Sequence, residues 1–130
     1  MDKKVQYWLD LADDDVSVVR LLISGKKYLQ AGFFCHLIAE KSLKALISNA
    51  SSEVPPKIHD LAKLAIRAGI FDELSSKQQS LLKELSPLNI DGRYPEYKEH
   101  LAQILTSAKI NELFQETEEF LFWIKSKLDK

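Results

Sequence analysis

Phe33-Phe34-Cys35-His36-Leu37-Ile38-Ala39-Glu40-Lys41-Ser42-Leu43-Lys44-Ala45-Leu46-Ile47 is the most informative run in this chain. At about 100° per residue, Phe34, Ile38, Lys41 and Ala45 stack along one line of a helix. Phe33, Leu37 and Lys44 lie beside them, and Leu43, Leu46 and Ile47 widen the apolar surface. A helix that is apolar on most sides is a buried one. Its waist nevertheless carries Glu40 and Lys41, with His36 one turn before Glu40. Buried charges require partners, because an unpaired one is very costly. The rest of the chain must supply them, or leave that stripe facing a cleft.

Working outward, the neighbouring segments also read as helices. Before the central run, Val5, Trp8, Leu9, Ala12, Val16, Val19, Leu22 and Ile23 recur at three- and four-residue steps, predicting a helix from about Lys3 to Ser24. Gly25 stands at its C-cap, followed by Lys26-Lys27. A second helix then runs from about Tyr28 to Ser48, so the first two form an antiparallel hairpin. Asn49 to Pro56 is a polar loop closed by two prolines. His59-Asp60-Leu61 begins a third helix that ends at Gly69, with His59 capping it or anchoring the loop. A fourth is capped by Ser75 or Ser76 and stopped by Ser86-Pro87. Leu88 to Pro95 reads as an ordered irregular loop, and a short helical pattern follows from Pro95. The last helix spans about Thr106 to Leu128. The fold class is therefore all-α, a bundle of about five helices in one domain over residues 1–130.

Composition agrees. The 130 residues are 45% hydrophobic and 28% charged, enough for one real core and too few for two comfortable domains. With 4 Gly and 4 Pro, a few long helices fit better than many short strands. A net charge of -1 argues against a broad nucleic-acid-binding surface, although a local cleft can still be basic. The lone Cys35 excludes an internal disulfide, fits a reducing compartment and reads as a small core residue. No segment reaches the ~20 apolar residues of a membrane span, and the N-terminus is amphipathic rather than signal-like. The expectation is a cytoplasmic protein with no membrane association.

Catalytic motifs are sparse. His36, His59 and His100 are the whole histidine supply, without HxxxH or HExxH spacing, so neither a metal nor another cofactor is expected. Asp13-Asp14-Asp15 spreads over three helical faces and does not converge on an ion. No phosphate-cradling glycine loop or nucleophile elbow occurs. What remains is a set of polar groups in costly places. His36 and Glu40 can face the same way, and Arg93 in the loop is a natural bidentate partner for a semi-buried Glu40. Two accounts stay open: Arg93–Glu40 is a structural clamp, or Arg93 and His100 cleave a phosphodiester. In the second, a histidine moves a proton and an arginine stabilises phosphate charge.

Four fragments in order resemble the HEPN family: Tyr7-Trp8 with Ala12 and Asp15; Phe33 through Ala39-Glu40-Lys41-x-Leu43-Lys44-Ala45; Pro56-x-x-His59-Asp60-Leu61; and Arg93-Tyr94-Pro95. The resemblance implies an up-and-down helical bundle that forms a homodimer, with functional residues in the cleft between protomers. It also implies a minimal nucleotidyltransferase as partner, in a toxin–antitoxin-type module. Nuclease-type members carry Arg, four to six residues, then His, and cleave RNA without metal; Arg93 and His100 have six between them. Pro95 places that pair at a loop–helix junction, and Tyr94 follows the arginine where a polar residue is common. Arg93 and His100 are thus the catalytic candidates. His36, Glu40, Lys41, Lys44 and Tyr94 are the binding or orienting ones, with Glu40 orienting Arg93 and the two lysines giving local positive charge. A metal-independent ribonuclease and a non-catalytic dimeric module that binds nucleotide or RNA, or docks a partner enzyme, both remain open.

Overall fold

A computed structural model describes residues 2–89 and 95–129. Among them are six α-helices: α1 (Lys3–Ser24), α2 (Tyr28–Ala50), α3 (Leu61–Arg67), α4 (Ser76–Leu85), α5 (Pro95–Ile104) and α6 (Ser107–Leu128). Single 3-10 turns cover Phe71–Glu73 and Ser86–Leu88. The all-α bundle expected from the sequence is the architecture found. Its central stretch is where the sequence places it, since α2 packs against α1, α3, α4, α5 and α6.

Local chemistry sets the helix starts. The side chains of Asp2, Asp60, Ser75 and Thr106 accept hydrogen bonds from free backbone N–H groups in the first turns of α1, α3, α4 and α6. At α4 the bond is reciprocal, because Gln78 reaches back to the Ser75 N–H in a capping box. Asp60 caps α3, which leaves His59 free for another task.

The α1–α2 connection differs from expectation in one respect. Gly25 has an ordinary φ of -85°, whereas Lys26 takes the left-handed conformation with φ 60°. The Lys27 N–H bonds the Leu22 carbonyl at 2.8 Å and the Lys26 N–H bonds that of Ile23 at 3.0 Å. This is a Schellman ending in which the left-handed position falls on lysine. The short turn makes α1 and α2 antiparallel, as the pairs Asp15–Lys41 and Trp8–Lys44 record. Pairs Arg20–Glu118 and Asp13–Lys125 run α6 antiparallel to α1.

Packing is tightest around α2. From Ala31 to Ser48 nearly every residue is buried, with only Phe33, Phe34, Leu37 and Lys41 partly exposed. A methyl group at Gly32 would sit 3.1 Å from Leu105 Cδ1 and 3.2 Å from Leu88 Cδ1, so glycine permits this close approach. Cys35 is completely buried, in keeping with its reading as a core residue, and burial pushes its thiol up to about 12. No described helix is long and apolar enough to cross a membrane.

Candidate functional site

The candidate site grows from one stripe of α2. His36, Glu40 and Lys44 are spaced at i, i+4 and i+8, so their side chains point the same way. All three are buried. Lys44 Nζ donates to Glu40 Oε2 at 3.0 Å, and its ammonium also lies 5.6 Å from the centre of the Trp8 ring on α1. The other carboxylate oxygen faces His59. The Nδ1–H of His59 donates to Glu40 Oε1 at 3.0 Å. His36 then holds the same residue by its backbone, its Nε2–H donating to the His59 carbonyl at 3.2 Å. The loop between α2 and α3 is therefore fastened to the waist of α2 twice.

This answers the problem that the central helix poses. Glu40 is compensated by a buried lysine and an imidazole N–H, and Lys41 by Asp15 at 2.6 Å. The acidic run in α1 divides accordingly: Asp15 is buried against Lys41, Asp13 pairs with Lys125 at 2.7 Å, and Asp14 is exposed. A neutral imidazole carries one N–H, and in His36 that proton is at Nε2. Its Nδ1 is buried without a hydrogen bond, 3.6 Å from Glu40 Oε1. Burial holds the His36 pKa below its ordinary value, against the opposing pull of Glu40 and of the His59 carbonyl.

The side chains foreseen from sequence are thus partly brought together. His36, Glu40 and Lys44 form one cluster. Lys41 sits beside it in a separate ion pair. Each lysine faces a carboxylate, Lys41 that of Asp15 and Lys44 that of Glu40. His100 is exposed on α5, and none of the described contacts of Glu40 involves it. Arg93, Tyr94 and most of the loop expected around them lie outside the described residues, and with them the Arg93–Glu40 clamp.

His59 is the group that sequence reasoning underrated. Its loop-anchoring role holds, but the carboxylate it meets was not foreseen. The available signal was the rigid Pro55-Pro56 pair just ahead of it. Ten residues of loop can span roughly 33 Å, ample for reaching back about 15 Å along α2 to Glu40. Nothing in a loop sequence fixes its path, however.

Chemically, the arrangement is a carboxylate–imidazole pair. The inner edge of the His59 ring is fixed by Glu40, while the side chain remains 62% exposed. Nδ1 is engaged by Glu40, which leaves Nε2 as the ring nitrogen that does not contact the carboxylate. No group of His, Cys, Asp and Glu suited to holding a metal ion occurs among the described residues.

Comparison with known proteins bears on the whole chain. The structure is similar to TT1696 from Thermus thermophilus, with a TM-score of 0.81 at 19% identity, covering 97% of this chain and 99% of that one. It is also similar to ST0689, an archaeal HEPN homologue, with a TM-score of 0.68 at 23% identity, covering 97% and 98%. At those identities the likeness concerns the fold alone. No curated protein matches the sequence. The family model of the HEPN domain, in contrast, matches residues 5–127, from the first turn of α1 to the end of α6. The chain belongs to the HEPN domain family.

Proposed function

We propose that this HEPN-domain protein is a metal-independent ribonuclease, the toxin-type partner of a minimal nucleotidyltransferase, working as a homodimer in the cytoplasm. Arg93 stabilises charge on the scissile phosphate and His100 moves a proton. The observation that carries the reading is the exposure of His100 on α5, seven residues beyond Arg93. An exposed imidazole on a helix can approach a strand of RNA, whereas the buried His36 cannot. Family membership and the Arg93–six residues–His100 spacing point the same way.

A second reading, a non-catalytic dimeric module that binds nucleotide or RNA or docks a partner enzyme, is favoured by charge. The net charge is -1, and Arg20, Lys41, Lys44, Lys109, Lys125 and Lys127 all face carboxylates. One experiment separates the two. Purified protein and its Arg93→Ala and His100→Ala variants are incubated with RNA in EDTA. The ribonuclease reading expects cleavage by wild type and a loss of about 10²–10⁴-fold in each variant. Binding without cleavage selects the second reading, and equal activity in all three proteins sinks the assignment of Arg93 and His100. Light scattering should give a mass near twice the 14.9 kDa chain.

A further inference from the structure

His59 has a place in neither of those accounts, yet its geometry is that of a working imidazole. We propose that His59 is a substrate-contacting residue, whose Nε2 meets the phosphate–ribose unit of an RNA strand while Glu40 holds the ring from behind. The choice of RNA as ligand rests on the function proposed above; the site itself rests on the geometry of Glu40.

Anchoring alone does not account for what is seen. The loop is already held by the His36 N–H on the His59 carbonyl, and α3 is already capped by Asp60. The His59 side chain adds one bond, at 3.0 Å, to a carboxylate that is itself buried and already paired on its other oxygen with Lys44. That bond commits Nδ1 to Glu40 on a side chain that is otherwise largely exposed. A carboxylate behind an imidazole also stabilises the imidazolium that forms when the outer nitrogen takes a proton. The groups facing the ring are Glu40 and His36 of α2, with Lys44 acting through Glu40. In chain order the exposed Lys57 and Lys63 lie on either side of it, with the exposed Asp60 that caps α3 immediately next to it.

During strand cleavage Nε2 would take the 2′-hydroxyl proton as the 2′-oxygen bonds to phosphorus. The bond from phosphorus to the 5′-oxygen breaks, that oxygen takes the proton supplied by His100, and His59 afterwards gives its proton to water while His100 regains one. No metal or redox partner enters the balance.

Asparagine tests this cleanly, because its side-chain N–H can reproduce the Nδ1–H donation to Glu40 while offering no Nε2. Wild type and His59→Asn are compared for cleavage of an RNA in EDTA, for Tm, and for binding of a non-cleavable 2′-O-methyl RNA decamer. Imidazole resonances are followed by NMR in the wild type. The expected result is a loss of cleavage of about 10²-fold or more, with Tm moving by less than about 4 °C. The His59 resonances should shift saturably as the decamer is added. Undiminished cleavage by His59→Asn, or His59 resonances indifferent to the decamer, would overturn the proposal. An inert wild type that still moves the His59 resonances, and whose binding His59→Asn abolishes, removes the nuclease reading and upholds the contact.

Discussion

His36 carries an electrostatic conflict that should be measurable. Its Nε2–H is committed to the His59 carbonyl, so its buried Nδ1 presents a lone pair toward Glu40 Oε1 at 3.6 Å. A second proton would turn that contact into an ion pair, but desolvation opposes the charge and wins, leaving the pKa below its ordinary value. The sign follows by linkage. In the interval between the lowered folded value and the ordinary unfolded one, the unfolded chain binds more protons, so stability rises with pH. The contribution is complete above about pH 6.5 and is lost as pH falls through the folded value, at no more than about 1.4 kcal/mol per pH unit. His36→Gln keeps an N–H for the His59 carbonyl and removes the titration. Urea unfolding at pH 7.5 and 5.5 should show a larger acid loss in wild type than in the variant, and parallel pH slopes would refute this assignment. At this scale the sequence was half legible. Helical spacing alone puts His36 beside Glu40, while His59 meets Glu40 through tertiary geometry that no spacing encodes.

Helices report their own boundaries, and here most did so through caps. Ser75, Thr106 and Gly69 mark ends of α4, α6 and α3, Gly69 with a φ of +76° that suits glycine. The hairpin register was legible as well: reflecting α2 about the turn at Lys26 sets Lys44 across from Trp8, the contact observed. The turn itself misleads, because the glycine stands one residue before the left-handed position. Gly25 at φ -85° does not need to be glycine, and a methyl there would meet nothing closer than 3.5 Å. Lys26 at φ 60° bears the strain, which costs a residue with a Cβ about 1 kcal/mol. Lys26→Gly should therefore stabilise the protein by about 0.5–1 kcal/mol, read as a higher urea midpoint at unchanged m-value. A midpoint that falls would mean that Lys26 contributes an interaction outweighing its strain. The loop between α2 and α3 resisted reading for the opposite reason, since its position depends on two bonds to α2 rather than on local preference.

Among the described residues, several charges are matched between elements. Arg20–Glu118 and Lys125–Asp13 link α1 to α6, Lys127–Glu73 joins α6 to the 3-10 turn after α3, and Lys109–Glu84 joins α6 to α4. Exposed pairs of this kind contribute little to stability, about 0–1 kcal/mol each. Their larger consequence is for binding, because a lysine already facing a carboxylate is a poor phosphate ligand. Composition foretold the balance through a net charge of -1, but not which cations it would occupy. A protein gripping RNA through many phosphates releases a counterion at each, and its affinity falls steeply with salt. Recognition confined to a small site, as proposed for His59, would engage only two or three phosphates. The slope of log K against log salt for a single-stranded RNA should then be shallow, about -1.5 to -2. Fluorescence anisotropy with a non-cleavable RNA between 50 and 300 mM salt measures it directly. A slope of about -5 or steeper would require a broad basic surface, and the ion pairs would then have to open on binding.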